Sequence, residues 1–201
     1  TLSSSSAASD VYKRQAYVIA YRAMIEGESQ VGKTYVTSSA GNHGLSVAAG
    51  AKAFGANSVI YISSTVPEAF VKRLMAEGAK VIRAGQVYEE SMEAAKRAAE
   101  DNGWVLLSDT SWPEYYKPSY RLMEGYTVLM DEASAQIDTP THIFLQAGVG
   151  GLAGATAAMV RKIWGQDVII IVVEPSNAPA LHSCIQAGDF VFANGSGSSM
   201  G

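Results

Sequence analysis

Strand-like and helix-like segments alternate along this chain from Tyr17 to Ala187, and that alternation leaves few folds open. Helical patterns cover Tyr17–Glu26, Leu45–Phe54, Pro67–Glu77, Tyr88–Asn102, Ser119–Gln136, Leu152–Trp164 and Ala178–Ala187. Between them stand short runs rich in β-branched and aliphatic residues: Thr34–Ser38, Ser58–Ser63, Lys80–Arg83, Trp104–Ser108, His142–Gln146 and Val168–Val173. Such runs suit strands covered on both faces, and strand–helix–strand order with short connections gives parallel pairing through right-handed crossovers. The expected fold class is therefore α/β, in three layers of parallel sheet with flanking helices. No internal repeat is visible beyond the generic βαβ period.

Two strand-to-helix junctions are unlike the rest. The first is Thr37-Ser38-Ser39-Ala40-Gly41-Asn42-His43-Gly44, which sets hydroxyls, two glycines, an amide and an imidazole where a helix N-terminus exposes N–H groups. The second is Ala147-Gly148-Val149-Gly150-Gly151-Leu152-Ala153-Gly154, where successive N–H groups without Cβ obstruction can wrap a phosphate at the next helix N-terminus. Its Gly-x-Gly-Gly spacing is not the dinucleotide pattern G-x-G-x-x-G, and no Gly-Lys-Ser/Thr follows, so neither a nicotinamide cofactor nor a P-loop is expected. In isolation such a loop also serves tight helix–strand packing.

Composition narrows the partner. Across 201 residues the net charge is −4, with 48% hydrophobic and 17% charged residues, so no basic field exists to attract nucleic acid or an anionic membrane surface. No apolar run approaches the roughly 18 residues of a membrane span. A single cysteine, Cys184, excludes an intramolecular disulfide framework and fits a reducing cytoplasm. His182 and Cys184 alone do not make a metal site, and none is expected. The partner expected is a small molecule.

Taken together, the Ser38–Gly44 segment and a phosphate-cup glycine loop about a hundred residues later resemble the fold-type II pyridoxal-phosphate enzymes, the tryptophan-synthase β-like group. The resemblance covers about residues 16 to 201. It implies pyridoxal 5'-phosphate as cofactor, with Asn42 at the ring hydroxyl and Gly148, Val149, Gly150, Gly151 and Leu152 around the phosphate. It also implies Glu174, in the dipeptide Glu174-Pro175, near the ring. Ser38, Ser39, Ala40, Gly41 and His43 then form the cradle for a substrate carboxylate. Within the group, Asp109-Thr110-Ser111-Trp112, Met123-Glu124-Gly125-Tyr126 and Pro140–Gly150 resemble diaminopropionate ammonia-lyases more than serine or threonine dehydratases. That resemblance implies α,β-elimination of 2,3-diaminopropionate to pyruvate and ammonia, with Asp109 as the acidic catalytic group near the β-amino end, in a cytoplasmic homodimer of amino acid catabolism.

Two departures modify the expectation. Ammonia-lyases of this type place an aspartate before Gly-Asn-His-Gly, as a base for the D-isomer, whereas this chain has Ala40. The Ser-Ala-Gly-Asn-His version is closer to dehydratases, which keeps a serine or threonine dehydratase open, beside a non-catalytic anion-binding remnant. The second departure concerns the family's Schiff-base lysine, placed just before the helix Tyr17–Glu26. Lys13 is the candidate in reach, but the register falls one or two residues upstream, near Val11 or Tyr12, so the anchor is expected to be missing. Residues 1–15 read as an atypical tail or junction, 34–112 as a smaller α/β domain, and 16–33 with 113–201 as parts of a larger, incomplete domain. The chain is expected to be a fragment, inactive as given.

Overall fold

The computed structural model describes residues 16–112, 114–189 and 191. Lys13, Val11, Tyr12 and the rest of the expected tail lie outside these, as does almost all of the run from 190 to 201. The chain divides into two compact units, one running to Gly125 and the other beginning at Tyr126.

The first unit is built on a four-stranded, wholly parallel sheet. Its strands are β1 (Thr34–Ser38), β2 (Asn57–Ile62), β3 (Lys80–Arg83) and β4 (Val105–Leu106), in spatial order β3-β2-β1-β4. The register pairs Val36 with Val59 on one side and Val36 with Leu106 on the other. Its helices are α1 (Tyr17–Met24), α2 (Asn42–Ala53), α3 (Glu68–Ala76) and α4 (Tyr88–Asn102). Ala95 and Ala99 of α4 pack on Val36 and Val59, with Trp104 and Leu106 beside them. Alanines at i and i+4 let a helix lie close to the sheet, and the β-branched pair gives it a stiff floor. Period-2 alternation turns Tyr35, Thr37 and Ile60 to the opposite face, where all three are fully buried. Burying one such aliphatic side chain contributes about 1.5–3 kcal/mol.

The pattern-based boundaries agree with the structure to within a few residues, with two informative differences. Helix α2 begins at Asn42 rather than Leu45, because Gly41 takes an extended N-cap conformation (φ −94°, ψ −150°) and the helix starts directly after it. Asn42 and His43 are therefore in the first helical turn. Strand β4 shrinks to Val105–Leu106, at the edge of the sheet with a strand on one side only among the described residues.

Helix α5 (Lys117–Ser134) carries the division between the units. The second unit holds β5 (His142–Gln146), α6 (Gly151–Trp164), β6 (Ile169–Val173) and α7 (Ala180–Ala187), and β5 and β6 pair in parallel. Met130, Val160 and Val168 form its core with Ile143 and Ile170 alongside. Leu145, Ala147 and Ala153 form a second cluster. Phe144 and Val173 remain exposed at 67% and 54%. Among the described residues no helix is long and apolar enough to cross a membrane.

Candidate functional site

In the first unit the expected residues collect at the carboxyl edge of two adjacent parallel strands. Ser38 closes β1, and Ser39, Ala40 and Gly41 lead into α2. Leu107, Ser108 and Asp109 follow β4, the neighbour of β1. Ligands gather at this edge of open α/β sheets. Strand spacing alone sets the two loops about 5 Å apart. They are also tied directly. The Leu107 N–H donates to the Val36 carbonyl (2.9 Å), and His43 Nε2 lies 3.1 Å from the Leu107 carbonyl oxygen. A carbonyl only accepts, so Nε2 carries the hydrogen and Nδ1 is left with its lone pair in the neutral ring.

The interior of this junction is unusually polar. Ser38 and His43 are 2% and 4% exposed, yet among the described residues Ser38 Oγ and His43 Nδ1 have no hydrogen-bond partner, and the same holds for Thr37 Oγ1 and Ser46 Oγ. Buried polar atoms are normally satisfied, so four orphans within ten residues mark a place where a polar ligand or water completes the structure. Helix α2 has no side-chain cap, which leaves its first N–H groups without intrahelical acceptors. Ser39 Oγ accepts from the Gly41 N–H (3.3 Å) and shapes the turn, while Gly41 and Asn42 are exposed. Gly44 is required by contact: a Cβ there would stand 2.0 Å from the Ser39 carbonyl oxygen.

Asp109 is half-buried, and the backbone on both sides of it is pinned. The Ser108 N–H donates to the Tyr115 hydroxyl (2.8 Å), and the Thr110 N–H donates to Ser108 Oγ (3.1 Å). Pattern reading found Asp109 only through the resemblance, and it missed Tyr115, whose role depends on a turn seven residues away. Tyr115 stacks on Trp112 (centroids 4.1 Å apart, planes 10°), and Tyr116 meets Tyr120 edge-on.

The second unit carries the glycine loop. Gly150 takes the left-handed conformation (φ 88°) just before α6, and that helix also has no side-chain cap. A Cβ on Gly148 would meet nothing within 4 Å, so the loop surface there is open. Val149 is 60% exposed. The N–H groups of Gly151, Leu152 and Ala153 form the uncapped first turn. The neighbouring helix α7 differs, because the Glu174 carboxylate accepts from the Leu181 and His182 N–H groups (2.7 and 2.8 Å). Glu174 is thus a bidentate helix cap. The α6 turn, with no side-chain cap beside an open glycine loop, suits a phosphate better than the α7 turn, where Glu174 already accepts from two N–H groups. Among the described residues no group of three or more metal-ligating side chains occurs.

The sequence profile of the family described as "Pyridoxal-phosphate dependent enzyme" matches residues 11–198. The chain belongs to that family. The pyridoxal-phosphate-dependent fold and cofactor follow from this membership. It is similar to the diaminopropionate ammonia-lyase of Escherichia coli (strain K12), at 34% identity over 167 residues, covering 81% of this chain and 42% of that protein. It is also similar to the L-serine dehydratase/L-threonine deaminase of Mus musculus, at 33% identity over 159 residues, covering 78% of this chain and 46% of that one. A solved diaminopropionate ammonia lyase from Escherichia coli, in complex with an aminoacrylate-PLP azomethine reaction intermediate, superposes with a TM-score of 0.81 at 32% identity. That match covers 90% of this chain and 51% of the solved one. The chain thus spans about half the length of the relatives it matches. Both substrate classes expected from the sequence are represented among them.

Proposed function

We propose that the full-length parent of this chain is a pyridoxal-phosphate-dependent ammonia-lyase that converts 2,3-diaminopropionate and water to pyruvate and two molecules of ammonia. The observation that carries this reading is the pairing of an uncapped, hydroxyl-lined helix N-terminus at the end of β1 with a carboxylate, Asp109, just beyond the adjacent strand β4. One end suits an anion and the other a cation. A diamino acid presents both, whereas serine and threonine offer a neutral hydroxyl to the aspartate.

In this reading the substrate carboxylate is bound by the first N–H groups of α2, with Ser38, Ser39, Ala40, Gly41 and His43 lining the cradle. Asp109 orients the β-ammonium and manages its proton as the amine departs. Gly148, Val149, Gly150, Gly151 and Leu152 hold the cofactor's phosphate, Asn42 holds its ring hydroxyl, and Glu174 flanks the ring. When bound, pyridoxal phosphate supplies the electron sink that lets the α-proton leave. Residues 34–112 would form the smaller domain, and 16–33 with 113–201 would belong to the larger one. The parent would act as a cytoplasmic homodimer, and the present chain, without a lysine in register before Tyr17, would lack the covalent anchor.

A second reading, a serine or threonine dehydratase, is favoured by one observation, Ala40 in the position where ammonia-lyases carry an aspartate. The same residue argues against use of the D-isomer. Steady-state pyruvate release by the parent from L-2,3-diaminopropionate, D-2,3-diaminopropionate, L-serine and L-threonine separates these readings. Preference for the L-diamino acid supports the first. Faster turnover of serine or threonine selects the second.

A further inference from the structure

Among the described residues strand β4 is the edge of its sheet, and no further strand pairs with its outward backbone groups. A side chain takes that place. The Tyr115 hydroxyl accepts from the Ser108 N–H (2.8 Å) and donates to the Leu106 carbonyl (2.9 Å), the same two groups that a fifth strand would have engaged. The phenol is itself held in a tight clip. Trp112 and Tyr115 form an antiparallel bridge, with the Tyr115 N–H donating to the Trp112 carbonyl (2.9 Å), and their rings stack. Lys96 Nζ lies 4.5 Å over the Trp112 ring from α4. Glu114 takes a positive φ of 75° inside the clip, a conformation rare for a non-glycine residue.

The consequence falls on Asp109. Position 107 is gripped through its N–H by Val36 and through its carbonyl by His43, position 108 by Tyr115, and position 110 by Ser108 Oγ on its N–H and Ser119 Oγ on its carbonyl. The 107–108 and 109–110 peptides on either side of Asp109 are thus held, and two grips come from outside the sheet and the cradle: Ser119 Oγ beyond Asp109, and the Tyr115 hydroxyl, which alone holds the Ser108 N–H before it. Resting on the reading of Asp109 given above, we propose that Tyr115 is a positioning residue that holds Asp109 in register with the α2 cradle and so sets the preference for a second amino group on the substrate. Burial pushes the Tyr115 phenol up to about 12, so the donor to Leu106 stays protonated throughout the working range.

The test compares the 201-residue chain with Y115F and D109N. Phenylalanine keeps the stack on Trp112 and removes only the hydroxyl. By nuclear magnetic resonance, wild-type Asp109 should show the side-chain couplings of one χ1 rotamer. In Y115F they should average, and the Ser108 amide should exchange about tenfold faster, the effect of one lost hydrogen bond. Amides of Val36 and Val59 should not change. Averaged Asp109 couplings in the wild type, or single-rotamer couplings in Y115F, would overturn the proposal, and the wild-type result decides even if Y115F does not fold. Titration with 2,3-diaminopropionate and with alanine separates the two layers of the argument. D109N that keeps the wild-type preference, or a wild type with no preference, sinks the reading of Asp109. D109N that loses the preference beside Y115F that keeps it leaves that reading standing and removes Tyr115 from it.

Discussion

Gly44→Ala is the most informative single substitution, because two physical effects of opposite sign meet there. Gly44 is in the first turn of α2, and a helix gains up to about 1 kcal/mol when glycine becomes alanine. Against this, the new Cβ would stand 2.0 Å from the Ser39 carbonyl oxygen and 3.3 Å from Leu74 Cδ2. The atom met is backbone, part of the turn that shapes the cradle, so relief needs a shift of the loop or the helix by about 1 Å to reach even a tight contact. Overpacking against such a partner costs about 3 kcal/mol, the upper end of the usual range. The clash wins, and G44A should be destabilised by about 2 kcal/mol, a fall of about 10 °C in Tm for a unit of this size. Urea and thermal unfolding measure it, with G148A as the reference, since a Cβ there meets nothing within 4 Å. G44A as stable as wild type, or more so, would refute the close approach of α2 to Ser39.

Further outcomes follow from the same contacts. H43A leaves the buried Leu107 carbonyl without its donor and should cost about 1–3 kcal/mol, read from urea midpoints at constant slope. E174A uncaps α7 and should cost about 1 kcal/mol, with faster exchange at the Leu181 and His182 amides. Hydrogen bonding by Lys33 and the charge of Arg22 hold the Glu28 carboxyl below its ordinary 4.5. A group lowered on folding adds stability above that pH and loses it as pH falls through the lowered value, so E28Q should show a shallower acid limb in a stability–pH profile. Tyr115 has the opposite sign. Its phenol, raised from 10 to about 12 by burial, stabilises below pH 10 and ceases to do so as pH climbs toward 12, and Y115F should lack that alkaline loss.

The elements were legible where one face or both faces of a segment are uniformly covered. Val36, Val59 and Ile60 are buried by helices, and Ala95 and Ala99 repeat at helical spacing, so composition and period carried the α/β class. The start of α2 was less legible, since glycine, asparagine and histidine are poor helix formers and only the extended Gly41 shows that the turn begins at Asn42. The two helix N-termini without side-chain caps could be read from glycine and hydroxyl content because they are features of local backbone. The contacts that tie the site together could not. His43 reaches Leu107 across 64 residues, and Tyr115 substitutes for a missing strand, and neither leaves a periodic trace. Glu174 before a proline reads as a strand end, whereas its carboxylate caps a helix that begins six residues later.

The proposed function places the amino acid at the carboxyl edge shared by β1 and β4. Chemical-shift mapping of the chain with 2,3-diaminopropionate tests it most directly. The largest shifts should fall on Asn42, His43, Asp109 and Thr110, and they should diminish in D109N. Shifts confined to the opposite edge of the sheet, around Lys33, Asn57 and Lys80, would contradict it.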